Sequence, residues 1–210
     1  MGALVVVEGL DGAGKQTLTR ALTVELTARG ARTTSIAFPR YGTPAADLVA
    51  DALHGRAGDL GASVHGMAAL FALDRHAAAD ALRADLAVHD VVLCDRWTAS
   101  NAAFGAARLH QEADGDLVEW VRALEVDRLG LPVPTVQLLL AVPVALAQQR
   151  AAGREVADAT RTRDAFERDG GLQERTAAVY AGLAAAGWVS PWRVLAGEVD
   201  VAALATALLA

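Results

Sequence analysis

The stretch that most constrains this chain is Leu4 to Leu18, LVVVEGLDGAGKQTL. Leu4 to Val7 is a short apolar run with three β-branched residues, which predicts a buried parallel strand. Glu8 and Gly9 end it. Gly9-Leu10-Asp11-Gly12-Ala13-Gly14-Lys15 follows, and Gln16 and Thr17 lead into a helical pattern. Strand, glycine loop, helix is the order of a phosphate-binding loop. Successive backbone N–H groups in such a loop form a nest for phosphate oxygens. The helix behind it adds unpaired N–H groups and the positive end of its dipole. Lys15 supplies a mobile cation for the outer phosphates. The usual pattern places Ser or Thr directly after the lysine, where the hydroxyl reaches a magnesium ion. Here that residue is Gln16, which makes Asp11 a candidate metal partner.

Downstream, Leu18, Ala21, Leu22 and Leu26 share one helical face, with Gly30 as the C-terminal stop. Thr33 to Phe38 is the second strand, ended at Pro39. The apolar period predicts helices over Asp47 to Leu53 and Met67 to Leu86. Val91 to Cys94 is the third strand and runs into Asp95-Arg96. An acid ending an apolar strand far beyond a phosphate loop fits a group that organises a metal ion and its water. Thr98 to Leu109 and Leu117 to Leu129 follow as helices, then the strand Thr135 to Val142. That strand is apolar throughout, so helices should cover both its faces. Leu172 to Ala186, Trp192 to Leu195 and a last helix capped by Asp200 complete an α/β chain with a five-stranded parallel sheet.

Composition narrows the function. Of 210 residues, 53% are hydrophobic, enough for one substantial core. Nineteen basic against 25 acidic residues give a net charge of −6, which argues against general binding to nucleic acid or an anionic membrane. The single cysteine, Cys94, excludes an internal disulfide, and its apolar surroundings predict a packing thiol. The first apolar run has no basic region ahead of it, so a signal peptide is not expected, and no stretch reads as a membrane span. Against this acidic background, Arg150, Arg154, Arg161, Arg163 and Arg168 are dense, among the acids Glu155, Asp158, Asp164 and Glu167. This reads either as a solvated helical face with ion pairs or as a basic flap over phosphates. A nucleoside triphosphate and an anionic acceptor repel each other, and bringing them in line requires fixed positive charge. Arginine suits the task, because its planar fork grips phosphate bidentately.

Three further blocks carry a resemblance. Phe38-Pro39-Arg40-Tyr41-Gly42, Leu70-Phe71-Ala72-Leu73-Asp74-Arg75 and Asp95-Arg96-Trp97-Thr98-Ala99-Ser100-Asn101, with the phosphate loop, resemble the thymidylate kinase family, its actinobacterial members in particular. The resemblance runs over essentially the whole chain. It implies a P-loop NTPase kinase fold, with the five-stranded parallel sheet flanked by helices on both faces. It further implies transfer of the γ-phosphoryl of ATP to dTMP, Mg2+ as cofactor, a homodimer and a cytoplasmic enzyme. On this resemblance the chain is one domain with a mobile arginine-bearing lid at about residues 148–164.

Residue roles are implied in the same way. Lys15, Asp11, Arg96 and Arg154 would carry catalysis. ATP would lie on Gly9 to Thr17, with Arg150 and Arg161 of the lid. For dTMP, Phe71 would stack on the base, while Arg75 and Asn101 hydrogen-bond its polar edge. Arg96 would hold its phosphate, with Phe38, Pro39, Arg40 and Tyr41 nearby. Asp11, Phe104, Phe166 and Glu167 would surround the sugar. Asp11, Glu167 through water, and Asp95 would serve the metal. Phe104 stands where the family often carries a tyrosine that senses the sugar. Two other readings compete: a kinase of this fold for another nucleoside monophosphate, and a nucleotide-dependent switch. The chain has no Asn-Lys-x-Asp segment for guanine, which argues against a switch.

Overall fold

The computed structural model describes residues 2–157 and 170–210; the side chains of 154–157 and of 170 lie outside the description. Five strands form one parallel sheet: β1 (Ala3–Glu8), β2 (Thr33–Ala37), β3 (Val91–Asp95), β4 (Val136–Leu140) and β5 (Trp192–Leu195), in the spatial order β2-β3-β1-β4-β5. The described helices are α1 (Lys15–Ala28), α2 (Pro44–Leu53), α3 (Val64–Val88), α4 (Thr98–Arg108), α5 (Asp116–Arg122), α6 (Val144–Ala157), α7 (Gly170–Ala186) and α8 (Val201–Leu209).

Strand periodicity sorts the core into two layers. Val5 and Val7 of β1, Leu93 of β3 and Leu138 of β4 face Leu18, Leu22 and Leu26 of α1 and Leu204 of α8. Leu4 and Val6, with Val92 and Cys94, face Ala78, Leu82 and Leu86 of α3. Alternate side chains of a strand point to opposite faces, so each apolar strand supplies both layers. Each fully buried leucine contributes roughly 1.5–3 kcal/mol by leaving water. Cys94 is a buried packing thiol, and burial pushes its pKa well up. Leu139 enters a third cluster built by α4, α5 and α7 around Tyr180 and Leu183.

Several element boundaries differ from the sequence pattern, and three of the differences have a local cause. The strand expected at Thr135 to Val142 is shorter, because only Val136 to Leu140 pair with β1 and β5. The helix expected at Leu117 to Leu129 is α-helical only to Arg122 and continues as a π-helical turn from Ala123 to Arg128. The N-terminal half of α3 starts earlier than the apolar pattern, at Val64, because Ser63 caps it through Gly66 N–H.

In a parallel sheet all carboxyl ends lie on one edge. Here β1 sits between β3 and β4, the point where successive connections diverge, and ligands of such sheets bind outside that edge. Arg96 N–H donates to Val7 O at 3.0 Å and Phe38 N–H to Asp95 O at 3.0 Å. The ends of three strands are thereby laced together at one place.

Candidate active site

The loop Gly9 to Gly14 leaves β1 at that edge and opens α1. Gly12 (φ 84°) and Gly14 (φ 98°) take left-handed conformations that side chains rarely adopt. A Cβ on Gly12 would also meet the Ala147 carbonyl oxygen at 2.0 Å, so the loop rests directly on α6. Gly14 caps α1 without a side-chain hydrogen bond, which leaves the first N–H groups of the helix for an anion. Gln16 and Thr17 stand exposed on the first turn.

Lys15 is 8% exposed, and its ammonium donates to Gly9 O at 3.2 Å and Leu10 O at 2.9 Å. Burial pushes its pKa down to about 8, Arg96 acts in the same direction, and Asp11, Asp95 and Glu8 oppose both. Phosphate oxygens would restore full protonation. In titrations of ATP with magnesium at pH 8, this half-charged group should therefore take up about half a proton. Calorimetry in buffers of different ionisation enthalpy reads that uptake, which Lys15→Arg should remove.

Arg96 stands at φ 70°, directly after Asp95. Its guanidinium pairs with Asp11 at 2.5 Å, donates to Ser100 Oγ at 2.9 Å and Gly9 O at 3.2 Å, and lies 5.2 Å over the Phe104 ring. Burial disfavours its charge, but Asp11, then Tyr180, Glu8 and Asp95, outweigh that, so it stays firmly protonated. Beneath lies Glu8, fully buried. Its carboxylate accepts from Trp97 N–H at 2.8 Å, Ser100 Oγ at 2.6 Å and Tyr180 Oη at 2.9 Å. Burial raises its pKa, against the opposing hydrogen bonds and Arg96. Glu8, Ser100 and Tyr180 went unnoticed as a site in the sequence, because a strand-end acid and a helical tyrosine carry no spacing signal.

The cleft beside the loop is lined by Phe38, Pro39, Tyr41, Phe71, Asn101 and Phe104, with Asp11, Arg75 and Arg96 at its polar parts. Phe38 and Pro39 are joined by a cis peptide bond. Arg40 is drawn inward: its N–H and Nε donate to Asp74 at 2.8 and 2.9 Å, and its Nη2 to Asp74 O at 2.8 Å. Asp74, 1% exposed, thus pairs with Arg40 and not with its neighbour Arg75. Arg75 pairs with Glu125, which also accepts from Asn101. Met67, Ala68 and Arg108 join the lining without any sequence signal.

Of the remaining expectations, Arg150 is exposed on α6. Arg154 is in α6 with its side chain undescribed, and Arg161, Phe166 and Glu167 lie outside the described residues, as does the expected lid from 158 to 164. Among the described residues no group of three or more His, Cys, Asp or Glu forms a metal cage. Asp11 and Asp95 still offer hard carboxylate oxygens beside the loop. Magnesium typically uses one or two carboxylates together with substrate phosphates, and this donor set fits it. No helix of the described residues is long and apolar enough to cross a membrane.

A phosphate loop with its lysine, facing an aromatic cleft with an arginine between them, defines the class of P-loop phosphotransferases. The model of one family in that class, thymidylate kinase, matches residues 7–188. Relatives include a thymidylate kinase of Mycobacterium tuberculosis strain H37Rv, 50% identical over 206 residues, which is 98% of this chain and 96% of the relative. One from Xanthomonas oryzae pv. oryzae is 38% identical over 87% of this chain and 72% of its own length. A human thymidylate kinase is 32% identical over 72% of this chain and 66% of its own length. The chain belongs to the thymidylate kinase family.

Proposed function

We propose that the protein transfers the γ-phosphoryl group of ATP to dTMP, giving dTDP and ADP. The observation that carries this is the cleft: aromatic rings including Phe71, and the polar groups of Arg75 and Asn101, line one pocket together with Asp11 and Arg96 beside the phosphate loop. ATP phosphates lie on the backbone of Gly9 to Gly14 and the start of α1, with Gln16 and Thr17 at its edge. Lys15 leaves its carbonyl partners to hold the β- and γ-phosphates. The thymine ring stacks on Phe71, Arg96 grips the dTMP phosphate, and Asp11 holds Arg96 in place between the two nucleotides. The acceptor phosphate is already ionised at neutral pH, so no general base is required. The chemistry is therefore positioning and charge compensation. Asp11 and Asp95, with Glu167 through water, are the residues to hold Mg2+, which would neutralise charge on the phosphate chain.

Arg150, Arg154 and Arg161 are proposed to close over ATP from a lid at about residues 148–164. If these arginines act mainly in the transition state, Arg154→Ala should lower kcat by roughly 10²–10³-fold. Its dissociation constant for ATP should stay within about threefold. Fluorescence titration beside steady-state kinetics reads the two; an effect confined to ATP affinity removes the role.

The function is tested by ADP release from ATP and magnesium, with dTMP, dUMP, UMP, dCMP, AMP and GMP offered in parallel. Turnover strongest with dTMP is expected. Strongest turnover with another monophosphate would retain the phosphate chemistry and discard the base pocket. A homodimer is part of the same reading. Leu73 of α3, 49% exposed, and Leu48 of α2, 40% exposed, support a contact through those helices, which sedimentation equilibrium tests. Cytoplasmic location rests on the lone buried thiol, which suits a reducing compartment.

A further inference from the structure

Behind the base pocket, bonded to its lining residues Arg75 and Asn101, lies a buried acid that the proposed reaction does not itself use. Glu125 is 0% exposed, on the π-helical turn that continues α5. One of its oxygens accepts from Arg75 Nε at 2.5 Å. The other accepts from Arg75 Nη2 at 2.8 Å and from Asn101 Nδ2 at 2.6 Å. Asn101 Nδ2 also donates to Ala68 O at 2.9 Å.

We propose that Glu125 is a positioning residue that sets the hydrogen-bond polarity of the base pocket, so that it takes a 4-keto pyrimidine and rejects a 4-amino one. The inference rests on the reading that the cleft binds a pyrimidine monophosphate.

The argument is one of satisfiability. A carboxylate and a carbonyl can only accept, so the amide of Asn101 must turn both its N–H groups toward Glu125 and Ala68. Its Oδ1 is left as the acceptor, and Asn101 lines the cleft. Arg75 gives Nε and Nη2 to Glu125, which leaves the N–H groups of Nη1 as donors, and Arg75 lines the same cleft. The pocket therefore offers one donor beside one acceptor. A 4-keto pyrimidine presents the complement: an accepting O4 beside a donating N3–H. A 4-amino pyrimidine presents a donating amine beside an accepting N3, which opposes both groups. Buried polar groups left unpaired make such discrimination steep. Without Glu125 the amide of Asn101 would be held by the Ala68 carbonyl alone and Arg75 would lose both its carboxylate contacts, so the code would weaken while the cavity kept its shape.

The test compares kcat/KM for dTMP and for dCMP in wild type, Glu125→Gln and Glu125→Asp. Glutamine keeps the volume but brings a donor against Arg75 or Asn101, which already donate there. The expected result is a fall in the dTMP-to-dCMP ratio of at least about 30-fold in Glu125→Gln, with KM for ATP unchanged. Glu125→Asp keeps two accepting oxygens and should hold the ratio within about threefold of wild type, even where both efficiencies drop. A merely structural role lowers both substrates in parallel in Glu125→Gln, and an unchanged ratio overturns the proposal. Wild type preferring dCMP removes the underlying reading of the cleft and this inference with it. Should Glu125→Gln fail to fold, proton NMR of wild type with dTMP decides. A slowly exchanging N3 imino proton supports an accepting Oδ1, and rapid exchange overturns it.

Discussion

Replacing Arg96 with alanine is expected to raise the KM for dTMP by roughly two to three orders of magnitude, the loss expected when a desolvated, charge-assisted phosphate contact worth several kcal/mol is removed. The size follows from how the side chain is held. Asp11, Ser100 and the Gly9 carbonyl fix the guanidinium on three sides, and the Phe104 ring supports its face. Its fork is thus oriented before substrate arrives, and little rotamer entropy is lost on binding. The left-handed backbone at φ 70° is as unfavourable for alanine as for arginine, so it does not confuse the comparison. Removal also leaves Asp11 and the buried Glu8 without their nearest cation, so a lower melting temperature should accompany the kinetic effect. Arg96→Lys restores charge without the fork and should recover only part of the affinity. Steady-state kinetics with varied dTMP reads the result, and a near-normal KM in folded Arg96→Ala would remove Arg96 from the acceptor site.

Lys15→Ala is expected to lower kcat by roughly 10²–10³-fold at saturating substrates, the range seen when one preorganised donor to a developing charge is lost. The ammonium is buried at the mouth of the loop, where water screens little, so an interaction with a transferring phosphoryl group is expected to be strong there. Its pKa is depressed to about 8, first by burial and then by the neighbouring Arg96. The sign follows. Its folded value lies below the unfolded one, so the free protein gains stability from this group as pH rises from about 8 toward the ordinary lysine range near 10.5. Below about 8 that gain is absent, and bound phosphates supply the missing partner. Lys15→Ala should therefore be no less stable than wild type in thermal melts without nucleotide, yet nearly inactive. A variant that keeps its turnover would show that backbone N–H groups alone carry the transfer.

Much of the architecture was legible because it depends on local pattern. Strand apolarity, glycine punctuation and helical period placed all five strands, and the loop Gly9 to Gly14 announced phosphate chemistry. The π-helical turn at Ala123 to Arg128 was not legible. A widened turn breaks the 3.6-residue period, and Glu125 in that run reads as an ordinary solvated acid. Glu8 was equally hidden, since its partners Ser100 and Tyr180 are 92 and 172 residues away in sequence. Arg40 was expected at the acceptor phosphate; its pairing with Asp74 across 34 residues emerges only when α3 packs beside the end of β2.

Local pattern was enough for the sheet, most of the helices and the class of chemistry, because periodicity, capping and a glycine–lysine loop act within a few residues of chain. Tertiary structure alone decided which charges meet. It set Arg96 against Asp11, seated Glu8 beneath them, and turned Glu125 toward Arg75 and Asn101. The physical reason is burial. A carboxylate or guanidinium removed from water must find its partner wherever the fold has brought one, and no spacing along the chain records that choice.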